Sequence, residues 1–542
     1  RAAYMYAGMA DVGAMTHDHV YDAALDRIWS NIVDTPMHIT GGLGAIHGIE
    51  GFGPEYDLPN KDAYNETCAA IANVFFNHRL FLHHRDAKFF DVAEVALLNN
   101  SLAGVNLDGD RFFYVNPLEA DGIRLFNHGN AGRAPWFDCA CCPSNIARLM
   151  PQVSGYMYAA NGAEIYCLLY GSSRTKIALK AGPVGITQKS RYPFDGYVRI
   201  AIALDAPQTF AAKLRIPTWA QDRFVPGRLY SYIGDKTPEW TVCVNGKRVT
   251  PRFERGFAIV TREWQDGDVL ELNLPMPVRY SVCDEKVEAN VDRIAVTRGP
   301  LVYCAEEVDN GGLVQRFVLP DAPGPESASA SAFLTGPLQG MVKLMVPVLE
   351  VAEEALRDAS MTLVPYFAWN NRGNGSMNVW FPRETDLARI TLADARFDSS
   401  RYGEIETSSC GDGDTVDALT DGHCPQNASD TTIQRWSSGD GDCTPTITLT
   451  FPQRQKVESL GVYWVNDDGK GIAVPAEWRM EYLQNGEWHA FDLYVTDFFG
   501  VDRDMYVVVH PAAELACEGL RLVITPAPGK RVGLLDLDLV VK

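Results

Sequence analysis

The period of the hydrophobic pattern changes once along the chain, near residue 156, and this change restricts the folds that the sequence can adopt. Before that point, apolar residues such as Leu25 and Trp29 recur every three or four positions, which is typical of amphipathic helices. After it, Leu270, Leu272 and Leu274 alternate with polar residues, which is typical of strands with one buried face. Helices followed by antiparallel strands predict separate domains in series.

The length of the chain also indicates several domains. At about 150 residues per domain, its 542 residues suggest about three or four. We predict a helical domain at residues 1–155, one or more β-sandwiches at 156–385 and a further β-sandwich at 386–542. Asn245-Gly246 and Asn485-Gly486 lie between strand-like runs and predict one hairpin turn in each β-rich region.

The charge balance excludes two classes of partner. The chain has 48 Lys and Arg against 69 Asp and Glu, a net charge of −21, and no basic run offsets it, so we expect no nucleic acid and no membrane among its partners. No apolar stretch reaches the roughly 20 residues of a membrane span. Because Arg1-Ala2-Ala3 has neither an initiator Met nor a signal-peptide layout, we expect the natural start to lie upstream. A cytoplasmic or a periplasmic location stays open.

Two short segments contain candidate metal ligands. Glu66 and Cys68 form one pair, and Cys141 and Cys142 form another. Thiolates and carboxylates are zinc ligands, so the four residues could hold one ion. On a regular helix, residues two apart point away from each other, so Glu66 must precede the helix if it shares an ion with Cys68. The alternative, that these are buried and inert cysteines, fits the residues equally well.

Cys141 is also a candidate reactive thiol. Pro143 suits the first position of a helix, which would place Cys141 and Cys142 just outside the helix N-terminus. The positive end of the helix dipole favours a thiolate there. Two ordinary buried cysteines at a helix end are the alternative.

Other candidate side chains lie on loops. Glu50, between two glycines, could act as an acid, although Glu55 and Asp57 compete with it and a solvated surface role is the simpler interpretation. Tyr114 and Asn116 could contact a sugar, but aromatic runs more often fill cores.

Five segments together resemble one known family. HITGG (38–42), EYDLPN (55–60), AYNETC (63–68), FYVNP (113–117) and CCPSN (141–145) resemble glycoside hydrolase family 127 and its relative, family 146, which are β-L-arabinofuranosidases. The segments occur in the order found in the family and cover residues 1–155. WNNRG (369–373) resembles part of the family's β-sandwich.

The resemblance implies an (α/α)6 barrel followed by antiparallel β-sandwich and jelly-roll domains, with residues 1–155 as the C-terminal half of the barrel. It implies a zinc ion held by Glu66, Cys68, Cys141 and Cys142. It also implies Cys141 as nucleophile, Glu50 as general acid/base, and retention of configuration through a glycosyl-cysteine.

Residues 386–542 resemble a discoidin-type jelly roll, which is a more generic match. It implies carbohydrate or Ca²⁺ binding only weakly. Trp436, Trp464 and Trp478 could form a carbohydrate platform in this region or could pack in its core.

The resemblance predicts a retaining hydrolase that removes terminal β-L-arabinofuranosyl residues from an arabinose-containing oligosaccharide or glycan. One alternative is a glycosidase of the same fold that acts on another plant-pectin pentose, such as aceric acid. Another is a non-catalytic carbohydrate-binding protein with a structural zinc. Because the resemblance covers only half of the barrel, a partner fragment that completes it stays open, as does a homodimer.

Overall fold

The computed structural model describes residues 2–46, 50–234, 237–320, 327–352, 355–395, 402–421, 425 and 427–541. The chain divides into two compact units: residues 1–121 with 133–395, and residues 122–132 with 396–542. The hydrophobic pattern did not predict that the segment 122–132 leaves the first unit. Within the described residues, no helix combines the length and the apolar character that crossing a membrane requires.

The described part of residues 1–155 contains five α-helices: α1 (Ala2–Thr16), α2 (His19–Asp34), α3 (Thr67–His84), α4 (Ala87–Ala96) and α5 (Cys141–Leu149). The predicted stripe of α2 is confirmed, because Leu25, Trp29 and Ile32 are buried. Asp18 and Asp86 begin α2 and α4 as N-caps, since their side chains accept hydrogen bonds from backbone N–H groups of the first turn. Five helices do not establish an (α/α)6 barrel, which stays a prediction.

The β-rich part of the first unit has 22 strands among the described residues. They are β1 (Glu119–Ala120), β2 (Tyr158–Asn161), β3 (Glu164–Cys167), β4 (Ser173–Leu179), β5 (Gly182–Ser190), β6 (Tyr197–Ala203), β7 (Gln208–Arg215), β8 (Tyr230–Tyr232), β9 (Thr241–Val244), β10 (Lys247–Val249), β11 (Arg252–Glu254), β12 (Phe257–Trp264), β13 (Val269–Asn273), β14 (Val278–Cys283), β15 (Arg293–Arg298), β16 (Leu301–Glu306), β17 (Phe317–Val318), β18 (Ser329–Ala332), β19 (Val342–Ala352), β20 (Ala355–Pro365), β21 (Met377–Asn378) and β22 (Trp380–Pro382). Two short helices accompany them, α6 (Glu307–Asn310) and α7 (Thr385–Ala395).

These strands form three largely antiparallel sheets in the described part of the unit. One has the order β10-β9-β13-β6-β5-β4, and the second has the order β11-β12-β7-β3-β2, in which only β3 and β7 run parallel. The third sheet follows β17-β19-β20-β16-β15-β14-β8, with four short strands paired beside this path. One of these is β1, which pairs with β21, so a loop of the helical segment is a strand of the sandwich. The predicted turn at Asn245-Gly246 is confirmed between β9 and β10.

The described strands of the second unit form one nine-stranded, largely antiparallel sheet, so the predicted β-sandwich stays a prediction. The described strands of this unit are β23 (Glu404–Thr407), β24 (Trp436–Ser437), β25 (Thr446–Trp464), β26 (Ile472–Ala473), β27 (Glu477–Gln484), β28 (Glu487–Ala490), β29 (Tyr506–Val509), β30 (Leu515–Thr525) and β31 (Arg531–Val541). Trp436, Trp464 and Trp478 lie in its buried core, so these three indoles pack and are not an exposed carbohydrate platform. The turn at Asn485-Gly486 is confirmed between β27 and β28.

A buried ion cluster joins the helical segment to the five-stranded sheet within the first unit. Arg215 on β7 has no exposed surface, and its guanidinium contacts Asp91 at 2.6 Å and also contacts Glu94, both on α4. Tyr192 and Trp219 donate further hydrogen bonds to Glu94, at 2.6 and 3.2 Å. The hydrogen bonds compensate for the desolvation of three charged groups, and they fix α4 against the five-stranded sheet.

We expect Arg215→Met to lower the free energy of unfolding by about 3–5 kcal/mol, because it leaves two buried carboxylates without a cation. Urea denaturation followed by circular dichroism measures the loss. Lys213→Met is the matched control: Lys213 lies on the same strand and pairs with the partly exposed Glu164, so we expect a loss of about 1 kcal/mol or less. Equal losses in the two variants would contradict a dominant role for the buried cluster.

Candidate active site and metal centre

The four candidate ligands converge in the first unit. One ligand atom from each of Glu66, Cys68, Cys141 and Cys142 lies within 4.8 Å of all the others. The sulfurs of Cys68 and Cys142 are 3.3 Å apart, and those of Cys141 and Cys142 are 3.9 Å apart. Tetrahedral zinc with bonds of roughly 2.3 Å to sulfur would separate two thiolates by roughly 3.8 Å. The donor set and its spacing therefore fit a metal ion.

The backbone just before α3 explains how Glu66 and Cys68 face the same point. Asn65 is in the left-handed region, at φ 41°, and Glu66 is extended, at φ −61° and ψ 136°. Helix α3 begins only at Thr67, so Glu66 is its N-cap. The condition that Glu66 must precede the helix is met.

The thiols of the second segment lie within a helix N-terminus. Helix α5 begins at Cys141, after the N-cap Ala140, and Pro143 is its third residue. The prediction that Pro143 takes the first position, with both thiols outside the helix, is therefore wrong. Proline is tolerated here because the first N–H groups of a helix have no intrahelical acceptor. Cys141 and Cys142 still lie at the positive end of the helix dipole.

The protonation of the four ligands is coupled. Burial raises the pKa of Cys142 well above its usual value, and burial together with the charge of Glu50 raises the pKa of Glu66 to about 7. Hydrogen bonds from Cys142 and Cys68 lower the pKa of Cys141 and so favour its thiolate. Four acidic groups in one buried space cannot all ionise unless a cation compensates their charge.

A tyrosine links the ligand cluster to Glu50. The Tyr114 hydroxyl lies 3.2 Å from Glu50 Oε1 and 3.1 Å from Cys141 Sγ. Tyr64 donates a longer hydrogen bond to the same Glu50 oxygen, at 3.4 Å. Glu50 itself has a left-handed backbone, at φ 51°. Its neighbour Gly48 lies outside the described residues. The structure thus brings Glu50, Tyr114 and Cys141 together.

Glu55 and Asp57, the two acids that compete with Glu50 on the loop, make different contacts. Glu55 accepts a hydrogen bond of 2.8 Å from Asn31 Nδ2 and lines a cavity of about 300 Å³ between α1, α2 and the loop. Asp57 Oδ2 lies beside the backbone of Gly53. The described contacts join neither of these carboxylates to the ligand cluster.

Asn116 is fully buried. Its Nδ2 donates hydrogen bonds of 2.9 Å to the carbonyl of Asn65 and to Thr67 Oγ1. The Asn116 amide therefore binds the segment that carries the candidate ligands Glu66 and Cys68. A contact between Asn116 and a sugar stays a prediction.

Sequence reasoning missed two residues beside the site. Asn145 donates a hydrogen bond of 3.0 Å to Cys68 Sγ, and its place four residues after Cys141, on the same helical face, was a usable signal. The spacing of Tyr64 to Cys68 fits a helical stripe and so predicts a place for Tyr64 on α3. It precedes α3 and contacts Glu50 instead.

Three family models match the chain in succession. The catalytic-domain model of GH127 β-L-arabinofuranosidases matches residues 1–155, the GH127 middle-domain model matches 164–276, and the family 127 C-terminal-domain model matches 278–382. The chain belongs to glycoside hydrolase family 127. The catalytic-domain match contains Glu50, Tyr114 and the four candidate ligands.

Three family 127 relatives are similar over most of this chain. A non-reducing end β-L-arabinofuranosidase of Bifidobacterium longum is 34% identical over 402 residues, 70% of this chain and 58% of the relative. The structure of a GH127 β-arabinofuranosidase is 41% identical with a TM-score of 0.67, covering 71% of this chain and 60% of that one. A GH127 β-L-arabinofuranosidase from Geobacillus stearothermophilus is 35% identical with a TM-score of 0.64, over 70% and 60%. The chain spans about three fifths of the length of these relatives.

We expect Gly42→Ala to destabilise the family 127 site, because the new Cβ would lie 1.8 Å from Asn65 Oδ1 and 2.7 Å from Asn100 Oδ1. A loss of roughly 1–3 kcal/mol is typical of such overpacking. Gly8→Ala is the control, since nothing lies within 4 Å of its Cβ and Gly8 is inside α1. It should raise stability by up to about 1 kcal/mol. Thermal unfolding compares the two, and an unchanged midpoint for Gly42→Ala would contradict the close packing.

Proposed function

We propose that this chain carries the catalytic groups of a retaining glycoside hydrolase that removes terminal β-L-arabinofuranosyl residues from an arabinose-containing glycan. The observation that carries the proposal is the Tyr114 hydroxyl, which contacts both Glu50 and the metal-ligand candidate Cys141. The substrate is inferred from the relatives, two of which are named as β-L-arabinofuranosidases.

In the proposed first step, Cys141 Sγ attacks the anomeric carbon while Glu50 protonates the departing glycosidic oxygen. In the second step, Glu50 takes a proton from water, which displaces the sugar from sulfur. The two contacts of Tyr114 limit the distance from Glu50 Oε1 to Cys141 Sγ to about 6.3 Å, less than the roughly 6.5–9.5 Å between the carboxyl groups of inverting glycosidases. This separation supports retention.

Glu66, Cys68, Cys141 and Cys142 would hold a zinc ion. When bound, zinc would keep the sulfur of Cys141 deprotonated near neutral pH and make it a better leaving group. Glu66 and Cys142 are buried, so they would exclude water from that side of the sulfur.

We also propose that a further part of the enzyme completes an (α/α)6 barrel on residues 1–155. Met5, Val12 and Met15 lie on one face of α1 and are 60%, 44% and 82% exposed. Contiguous apolar surface of this kind often marks an interaction site. About two fifths of the length of the relatives lies outside the match with this chain. That additional part, or a partner fragment, would cover the apolar face of α1.

We expect the chain to bind one Zn²⁺, and Cys142→Ser to weaken that binding. Loss of a ligand should cost more than the roughly 10–100-fold that loss of an outer-shell partner costs. Elemental analysis and competition with a chromophoric chelator measure stoichiometry and affinity. Cys167→Ser, a buried cysteine on β3, is the matched control and should bind zinc unchanged. Equal affinities in the two variants would contradict the ligand assignment.

We expect Cys141→Ser to abolish turnover of every substrate. Glu50→Gln should lower kcat/KM by roughly 10²–10⁴-fold only when the leaving group is poor, because this ratio reports the first step, in which Glu50 would act as the acid. Values of kcat/KM for alkyl and activated aryl β-L-arabinofuranosides separate the two roles. Cys139→Ser, an exposed neighbour, should be fully active. Mass spectrometry should detect a pentosyl adduct on Cys141.

These assays are run on the chain alone and on the chain with the barrel-completing fragment. Full turnover by Cys141→Ser would remove it as nucleophile. Faster hydrolysis of another pentoside, such as an aceric acid glycoside, would change the substrate. Glycan binding with no turnover in either form would instead support a carbohydrate-binding protein.

A further inference from the structure

We propose that a buried cluster formed by Thr40, Asn65, Asn100 and Asn116, the amide cluster, positions the metal ligand Glu66 and the hydroxyl of Tyr114. The inference rests on the proposed metal centre but assigns it residues outside the set of four candidate ligands. All four side chains are fully buried. We infer that they act through the backbone of the two segments that carry Glu66 and Tyr114.

The carbonyl of Asn65 is the centre of the amide cluster. It accepts hydrogen bonds from Asn116 Nδ2 at 2.9 Å and from Asn100 Nδ2 at 3.3 Å. The Asn65 N–H donates to the carbonyl of Gly44 at 2.7 Å. The carbonyl of Asn65 belongs to the peptide bond that joins Asn65 to Glu66. Its orientation, and with it the direction in which Glu66 leaves the backbone, is therefore held from both sides.

The side chains of the amide cluster hold one another. Asn100 Oδ1 accepts from Thr40 Oγ1 at 2.9 Å and from Asn65 Nδ2 at 2.8 Å. Asn65 Nδ2 also donates to the carbonyl of Asn116 at 2.9 Å. A non-glycine residue at φ 41° needs such support, because the left-handed region costs energy for any residue with a Cβ. The network thus stabilises the turn that makes Glu66 the N-cap of α3.

The amide cluster reaches Tyr114 through Thr67, the first residue of α3. Asn116 Nδ2 donates to Thr67 Oγ1 at 2.9 Å. Thr67 in turn donates from its hydroxyl to the carbonyl of Phe113 at 2.7 Å and from its N–H to the carbonyl of Tyr114 at 3.0 Å. The segment that presents the Tyr114 hydroxyl is thus fastened to the segment that presents Glu66.

A π-helix connects the amide cluster to the β-sandwich. Asn99 and Asn100 are consecutive residues of this π-helix, Leu97–Ser101, which follows α4. Asn99 Nδ2 donates to the carbonyl of Pro300 at 2.9 Å, and Asn99 Oδ1 accepts from the N–H of Val302 on β16 at 2.8 Å. Within this single π-helical turn, the side chain of Asn99 contacts the sheet and the side chain of Asn100 contacts the amide cluster. π-Helical turns are rare and occur often at functional sites.

The test compares variants of the amide cluster by their metal binding. Thr40→Val keeps the shape of the side chain but removes the donor to Asn100, and Thr40→Ser restores a donor. Asn100→Ala removes the central side chain. Asn77→Ala is the matched control, because Asn77 is an equally buried asparagine on α3 that accepts from Trp29 Nε1 at 2.7 Å and makes no described contact with the ligands.

The readouts are zinc affinity, measured by competition with a chelator, and the thiolate-to-metal absorption of the Co²⁺-loaded chain. We expect Thr40→Val and Asn100→Ala to weaken zinc binding by roughly 10–100-fold, as for other outer-shell partners, and to alter the Co²⁺ spectrum. Thr40→Ser should restore both properties. Asn77→Ala should lose stability in urea but retain the zinc affinity and spectrum of the unmodified chain.

Unchanged zinc affinity and Co²⁺ spectrum in Thr40→Val would overturn the inference, as would equal effects in Asn100→Ala and Asn77→Ala. If Asn100→Ala does not fold, the two Thr40 variants still decide. These readouts need no turnover. If the chain binds zinc but hydrolyses nothing, the proposed activity is rejected, and the positioning role can still be tested. A chain that binds no metal would reject the metal centre itself, which is a different result.

Discussion

The rest of the helical segment depends on one electrostatic constraint: four acids, Glu66, Cys68, Cys141 and Cys142, meet at one point, and all of them except Cys141 are buried. Without a cation, burial and mutual repulsion hold protons on most of them, as the raised pKa values of Glu66 and Cys142 show. A divalent ion reverses this preference, since metal ligands bind in their deprotonated form. The late start of α3 and the early start of α5 both serve to bring these four groups together.

The residues around such a site must be held rigidly. Many of the contacts that hold them come from the sheets rather than from the helices. Four different contacts within the first unit join the helical segment to the sheets: the pair of β1 with β21, the Arg215 ion cluster, the hydrogen bonds of Asn99 to the backbone at Pro300 and Val302, and the stacking of Phe113 on Trp369 with ring centroids 4.9 Å apart. Phe113 is the neighbour of Tyr114. The WNNRG segment, noticed in the sequence as part of a sandwich, thus also supports the loop that carries the tyrosine.

Periodicity predicted those elements whose formation depends on local burial. The stripe of α2, the alternation in β13 and both Asn-Gly hairpin turns needed only residue types at fixed spacing. Residue chemistry also named the four candidate ligands that the structure brings together. The parts that could not be predicted depend on long-range polar contacts: the left-handed Asn65, the π-helix at Leu97–Ser101 and the departure of segment 122–132 to the second unit. Asn116 illustrates the limit, because its residue type suggested a sugar contact while its amide donates inside a buried network.

The position of Tyr114 also suggests how one site can serve both proposed steps. The Tyr114 hydroxyl donates its one proton to Glu50 Oε1 and accepts a hydrogen bond from the Cys141 thiol. If Cys141 is a thiolate instead, the same hydroxyl can donate to its sulfur. In the proposed mechanism, Cys141 would be the anion before the first step and Glu50 would carry the proton, so the tyrosine would donate to sulfur and accept from the carboxyl. After that step, sulfur would be a neutral thioether and Glu50 the anion, so the same hydroxyl would donate to Glu50. Rotation of the Tyr114 hydroxyl about its C–O bond would therefore be enough to move its hydrogen bond from the nucleophile to the base, with no movement of heavy atoms.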